Sequence, residues 1–408
     1  MAAGGLPEAP LDAPWLIRNH ADFEIRVVNP QKTSGLLNVD WSFEVTTKTR
    51  LPIGGRTAFS VRRAFADFEW LQAHLESELP HILIPPVLKA KLFATQTDEE
   101  WANAQQRFLV KFLMDLVHFC GSATQTLAFN AFLSCNEAQA FADAKKEAST
   151  AVATANSARL TLKERAKQVL TSLPGAVIGL AAAPPPPPAL SADEAALMQV
   201  VNDALADAKG LGTVLSALRD AMRDHHRALV VISARSAQSA QLALAIATSS
   251  KSEAVQSRLA RHAGALSSAF AADSASSGTH ARRMALSFLE PIEFWCAKAQ
   301  LLEALCQRLL EARKVCATLK QAQIKAITGA NSFNAASHQA SLQSLIQRVG
   351  DAEQWVERHE STIRNEIALF EQQRVIELRR LMFIFGAHQA TAHKELFGVW
   401  SDGVANLH

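Results

Sequence analysis

From residue 191 to about residue 401 the chain carries three long blocks in which apolar residues recur every three or four positions and Gly and Pro are nearly absent. The first opens on Ser191-Ala-Asp-Glu194, a helix-capping box, and runs to about 248. The second opens on another such box, Ser250-Lys-Ser-Glu253, and runs to about 327; the third spans about 336 to 401. Pro291 predicts a kink inside the second block. Phe294, Ala297, Leu301, Leu305, Leu309, Ala312, Cys316 and Leu319 form a coiled-coil seam there, and Leu342, Leu345, Val349, Ala352 and Val356 start a matching seam in the third. At ~1.5 Å per residue the last block reaches roughly 100 Å. Helices that long cannot bury themselves in one compact monomer, so they require each other and a second chain.

The remaining sequence is of a different kind. Residues 1–20 read as a disordered leader, with neither a charged start nor the apolar core of a secretory signal. Then "FEIRVV" (23–28), "VDWSFEVTTKT" (39–49) and "RTAFSVRRAF" (56–65) alternate apolar and polar residues, which predicts a three-stranded antiparallel meander. Phe68, Leu71 and Leu75 share one face of a helix that ends near Pro80. "LPHILIPPVLKAK" is an extended loop, because Pro85-Pro86 cannot enter a helix. Thr97-Asp-Glu-Glu100 caps a helix over about 98–118, and a short helix over about 123–134 follows. From 135 to about 157 the chain turns Ala-rich and polar. "SARLTLKERAKQVLTSL" (157–173) then sets Leu162, Val169 and Leu173 on one face and Arg159, Lys163 and Lys167 on another, the pattern of an interfacial helix, and polyproline 184–188 is a semi-rigid spacer.

Composition excludes several functions. A formal net charge of +2 over 408 residues leaves no bulk footprint for nucleic acid. No apolar run reaches the ~20 residues of a membrane span. Five cysteines with no C-x-x-C pair fit a reducing cytosol, and Cys296, Cys306 and Cys316 read as buried apolar residues. Asp224-His225-His226 has poor geometry for one metal and reads as exposed surface, and His388 and His393, five apart, are also poorly spaced for one metal. No catalytic constellation stands out, and no metal or cofactor is expected. The absence of tyrosine has no physical explanation here.

"WSFEVTTKT", "RRAFADFEWLQAHL" and "ILIPPVLKAK", in that order, resemble a phox-homology (PX) domain, and "FEQQRVIELRRLMFIFGAHQATAHKELFGVW" (370–400) is similar to the last helix of the BAR domain that follows it in sorting nexins. The resemblance implies an α+β PX domain at residues 21–136, with a three-stranded antiparallel sheet plus helices. A linker at 137–190 carries the amphipathic helix, and an all-α three-helix BAR coiled coil occupies 191–408. It further implies a non-enzymatic, membrane-curving protein, cytoplasmic and peripheral on endosomal membranes. Its implied partners are a phosphoinositide-containing or anionic membrane, another sorting nexin as homo- or heterodimer, and a retromer-like complex with cargo tails.

The family's pocket for phosphatidylinositol 3-phosphate places an arginine directly before an aromatic in the pattern Arg-Arg-aromatic-Ser-Asp-Phe. Aligning on Asp67-Phe68 puts Phe65 at the aromatic, Ala64 at the key arginine and Arg63 at the first, outward position. Arg62 shares Ala64's face but lies ~6.5 Å away along the strand. The next basic position falls on Ala90, flanked by Lys89 and Lys91, and the third on Gln105; Arg107 is about 200° round the helix from it. All three phosphate ligands are therefore replaced, and neither Ala nor Gln makes a charge-assisted phosphate contact. Arg62, Arg63, Phe65, Lys89, Lys91 and Arg107 remain as headgroup candidates, with Arg62, Lys89 and Lys91 able to form a shallower site. Leu92 and Phe93, in the loop the family dips into membrane, and Leu162, Val169 and Leu173 are the insertion candidates. Arg313, Lys314, Lys320 and Lys325 are the basic surface a BAR rod sets against anionic lipid at its tip. The rival reading is a cargo adaptor whose PX domain binds peptide by strand addition.

Overall fold

The structure is a computed structural model that describes residues 23–34, 39–53, 55–89, 98–150, 192–248, 253–328 and 335–406. Strands β1 (Phe23–Ser34), β2 (Val39–Ile53) and β3 (Arg56–Ala64) form an antiparallel sheet in the order β1-β2-β3. Alternation places Phe23, Ile25, Val27, Phe43, Val45, Phe59 and Val61 inside. Val27 pairs with Val45, and Val45 with Val61, so the register stacks like on like across all three strands. β1 runs beyond residue 28, where the alternation predicted its end. The register shifts between Val28 and Gln31, and Asn29 adopts φ 51°, so Asn29-Pro30 form a bulge after which pairing resumes.

Helix α1 (Phe65–Glu78) buries Phe68, Leu71 and Leu75 as the spacing predicts. Helix α2 (Asp98–Phe119) buries Leu109, Phe112, Leu113 and Leu116 in the same core. The short helix expected over 123–134 is split into a 3-10 turn (Ala123–Gln125) and α3 (Leu127–Ser134), because the Thr126 hydroxyl accepts from Phe129 N–H and so starts a new helix. The polar stretch after 135 forms a further helix, α4 (138–150), which returns Phe141 and Ala148 to this core.

The helical unit comprises α5 (Ala192–Thr248), α6 (Glu253–Met284), α7 (Glu290–Thr328) and α8 (Ala335–Ala405). The break expected at Pro291 takes the form of a π turn, Ala285–Leu289, closed by Glu290 N–H donating to Ala285 O. Proline lacks an N–H, so the helix preceding it lacks one ladder bond, and the widened turn sits there. The N-terminal half of α5 offers Leu197, Val201, Ala204, Ala208 and Leu215 to α7. Of the predicted seam in the second block, Phe294, Leu305, Leu309, Cys316 and Leu319 are buried, whereas Ala297, Leu301 and Ala312 are only half-buried. A second buried row runs through Ile292, Cys296, Ala299, Leu302 and Cys306, because α7 is covered by both α5 and α8. Further along, Cys316 and Leu319 meet Leu345, Val349 and Ala352, the two expected seams in contact. Among the described residues no helix is long and apolar enough to cross a membrane.

Candidate functional site

The end of β3 decides what Arg62 and Arg63 can do. Arg63 shares the inner face of the strand with Phe59 and Val61 and is 3% exposed. It therefore points inward, not outward as the motif alignment placed it. Its Nε donates to Phe132 O (2.9 Å), Nη2 to Ala131 O (3.2 Å) and Cys135 O (2.6 Å), and Nη1 to Arg62 O (3.0 Å). The first three carbonyls belong to the last turn and cap of α3, where Ala131 O still accepts from Cys135 N–H but helical partners run out beyond it, so the guanidinium caps that helix. It also stacks 3.9 Å from the centroid of Phe141. Burial pushes the Arg63 pKa down to about 10, with Asp67 opposing the shift; the group stays charged at neutral pH.

Arg62 lies on the opposite, exposed face. Its Nη1 donates to Asn29 O (3.2 Å), while the neighbouring Glu44 accepts from Asn29 (2.7 Å) and Ser60 (2.7 Å). Those two hydrogen bonds, with a smaller contribution from Arg62, hold the Glu44 carboxyl below its usual value. Ala64 N–H donates to Asp67 (2.8 Å), whose carboxylate also accepts from Lys145 of α4. Phe65 is buried, and Lys89 Nζ sits 5.4 Å over its ring while pairing with Glu69 at 3.0 Å. Gln105 is fully buried, and its Nε2 donates to Leu88 O at 2.7 Å, tying the proline loop to α2. Lys91, Leu92 and Phe93, together with Ala90, lie outside the described residues, as do Leu162, Val169 and Leu173.

Arg107 faces the helical unit. It makes a bidentate pair with Glu290, through Nε to Oε2 at 2.8 Å and Nη2 to Oε1, and the Glu290 side chain is 1% exposed. One turn along α2, Lys111 Nζ contacts Asp115 at 2.8 Å and Glu377 of α8 at 3.5 Å. Burial opposes the Lys111 charge, but the two carboxylates more than offset it and its pKa is raised. Lys298 of α7 bonds Gln373, and Trp295 Nε1 donates to Glu377 at 3.0 Å. The proline loop is held in the same seam: Ile82 and Ile84 enter the α+β core, Leu83 enters the helical core, and Leu83 N–H donates to Glu366 at 3.2 Å. Burial raises the Glu366 pKa to about 7. Arg107, a headgroup candidate in the sequence, is thus a joint residue, and the spacing of Arg107, Lys111 and Asp115 does not reveal it, since charges four apart are equally usual on a solvated helix face.

The basic candidates of α7 are partly neutralised by α8. Arg313 pairs with Glu360 (2.6 Å) and Lys320 with Glu353 (2.8 Å), while Lys314 and Lys325 are exposed. The C-terminal half of α8 carries a different surface. Val375, Ile376, Met382, Phe383, Phe397 and Val404 are all exposed, with Phe383 at 78% and Phe397 at 76%. Their positions fall within about 120° of arc, an apolar stripe interrupted by the exposed Arg379, His393 and Lys394.

Residues 51–136 match the PX domain. Sorting nexin-2 of Homo sapiens is 39% identical over 67 residues, 16% of this chain and 13% of that protein. Sorting nexin-30 of Danio rerio is 32% identical over 120 residues, 28% of this chain and 27% of that protein. The chain thus spans about an eighth to a quarter of the length of these relatives. The helical unit is matched through structure: the SNX-BAR protein Mvp1, solved by cryo-EM as a tetramer, superposes with a TM-score of 0.55 at 13% identity, over 93% of this chain and 99% of that one. The chain thus carries a PX domain, recognised in its sequence, and has the fold of a SNX-BAR protein along nearly its whole length.

Proposed function

We propose that the chain works in endosomal sorting as a peripheral, membrane-curving protein, that it does so as a dimer, and that its PX domain contributes little affinity for 3-phosphoinositide. The observation that carries the reading is the apolar stripe of α8. Phe383, Phe397 and their neighbours are far more exposed than a lone soluble helix tolerates, and a second rod of the same kind covers such a surface. Phe383→Asp is expected to weaken self-association by at least ~30-fold, read by analytical ultracentrifugation, and to abolish tubulation of anionic vesicles. A variant that remains dimeric and tubulates normally removes the stripe from the interface.

The PX reading rests on Ala64 and Gln105 at two phosphate-ligand positions, with Gln105 engaged by Leu88 O, and on Arg63 and Arg107 being held inside the protein. Full-length protein is expected to pellet equally with vesicles containing phosphatidylinositol 3-phosphate and with vesicles matched for charge by phosphatidylserine. A saturable preference for the phosphoinositide that Arg62→Ala removes would show that Arg62, Lys89 and Lys91 rebuild the site. The adaptor reading draws on the sheet order, which leaves β1 and β3 with one strand neighbour each. Capture of receptor tails that continues after the lipid preference is lost favours it.

A further inference from the structure

The fold brings together two histidine pairs that the sequence scatters. His225 and His226 come from α5, His280 from α6, and His388 and His393 from α8. The rings of His225 and His280 are 6.4 Å apart and nearly perpendicular. His226 and His280 are buried, at 8% and 6% exposed. His388 Nε2 lies 3.1 Å from Ser287 Oγ, within the π turn. The correction to the sequence reading is that His226 is covered, not exposed. Its neighbour His225 remains at the surface.

The charges around these rings come from α2, α5, α6 and α8. Acting on His280 are His225 from α5, His388 and His393 from α8, and Arg283 on its own helix, all of them cations when protonated. Arg283 pairs with Glu395 of α8 at 3.1 Å and also acts on His388. His226 faces His225 and, from α2 of the PX domain, Glu100. Burial holds His226, His280 and His388 below the usual histidine pKa, and the neighbouring cations push the same way, with Glu100 opposing at His226. The cluster also abuts the π turn, where the regular α-helical winding is interrupted.

We propose that the histidine cluster around His280 makes the rod pH-responsive: mild acidification charges it and loosens the packing of α6 and α8 around the π turn. The inference concerns packing within one chain and does not rest on the lipid or dimer readings. In the native state His226, His280 and His388 are held below the usual value, whereas unfolding restores the usual value of ~6.5. The stability they contribute is thus complete above ~6.5 and is lost as pH falls through the lowered native values. Glu366, with its pKa of about 7, and the buried Glu290, whose pKa is also raised, have the opposite sign and gain stability on acidification. The slope of the unaltered protein is therefore a mixture, and the test is a difference between proteins.

Thermal unfolding of the full-length protein at about pH 7.4 and about pH 5.5 is compared with that of His280→Gln/His388→Gln and of His262→Gln, an exposed control on α6. Glutamine stays neutral throughout and retains donor and acceptor atoms. Acidification is expected to lower the midpoint of the unaltered protein by at least ~2 °C more than that of the double variant. The control should track the unaltered protein, and loss of amide-exchange protection on acidification should centre on residues 278–292 and 384–396. Equal pH slopes in the unaltered protein and the double variant overturn the proposal, as does a control that behaves like the variant. Should the His280 substitution prevent folding, His388→Gln/His393→Gln, at half-buried and exposed positions, is judged by the same comparison.

Discussion

Arg63→Ala is expected to destabilise the PX domain by roughly 3–5 kcal/mol, and Arg62→Ala by less than ~0.5 kcal/mol, although the two arginines are adjacent in sequence. The difference lies in strand alternation. Arg62 points to solvent, and its loss exposes nothing that water cannot satisfy. Removing Arg63 takes the guanidinium donors away from the carbonyls of Phe132 and Cys135 at the buried end of α3, while Ala131 O keeps Cys135 N–H, and it leaves Lys145 as the cation over Phe141. Arg63→Lys should fall between, because one ammonium cannot reproduce the fork that reaches three carbonyls. Urea unfolding of the full-length proteins, followed by fluorescence of the partly buried Trp41 and Trp70, measures all three. A mild Arg63→Ala would mean that the α3 terminus finds other donors.

The second large effect is expected at the joint between the two domains. Arg107→Ala leaves Glu290 buried without its bidentate partner, at a cost of about 3–5 kcal/mol. Arg107→Met/Glu290→Met removes both charges and should recover most of that loss, because replacing a complete buried pair by apolar side chains is often near neutral. The pH dependence adds a second signature. Burial already raises the Glu290 pKa against the pull of Arg107, and without Arg107 it rises further. A raised native pKa gives stability that is present below the unfolded value and lost as pH rises through the native one. The Arg107→Ala protein should therefore approach the unaltered protein as pH falls toward ~5. Limited proteolysis of the joint, read across that range, reports the coupling directly; a variant whose deficit is constant with pH would show that Glu290 finds another cation.

Much of this architecture was legible in the sequence because apolar periodicity states which face of an element is covered. Val27, Val45 and Val61 alternate, Phe68, Leu71 and Leu75 share a helical face, and the long blocks carry their seams. Periodicity does not state what covers a polar face. Arg107 stands in the sequence as a headgroup candidate, yet its partner Glu290 lies in α7, 183 positions away, and Lys111 one turn on reaches Glu377 of α8. Arg63 was misjudged for a related reason. A motif alignment assigns positions along a strand, while the direction of a side chain follows from the neighbours it alternates with. The histidine pairs were each too poor in geometry to suggest a site, and only the folding of α5, α6 and α8 against one another joins them.

The π turn at Ala285–Leu289 also acts as a phase shifter between two halves of what is otherwise one continuous rod. It inserts about one residue beyond α-helical winding, so everything after it is rotated by about 100° relative to everything before. That rotation lets α6 turn one side to the end of α5 and the end of α8, while α7 presents Glu290 and Lys298 to Arg107 and Asp115 of the PX domain. Straighten the turn by one deletion and those two residues swing away together, so the angle at which the headpiece meets the rod is written into five residues that touch no ligand.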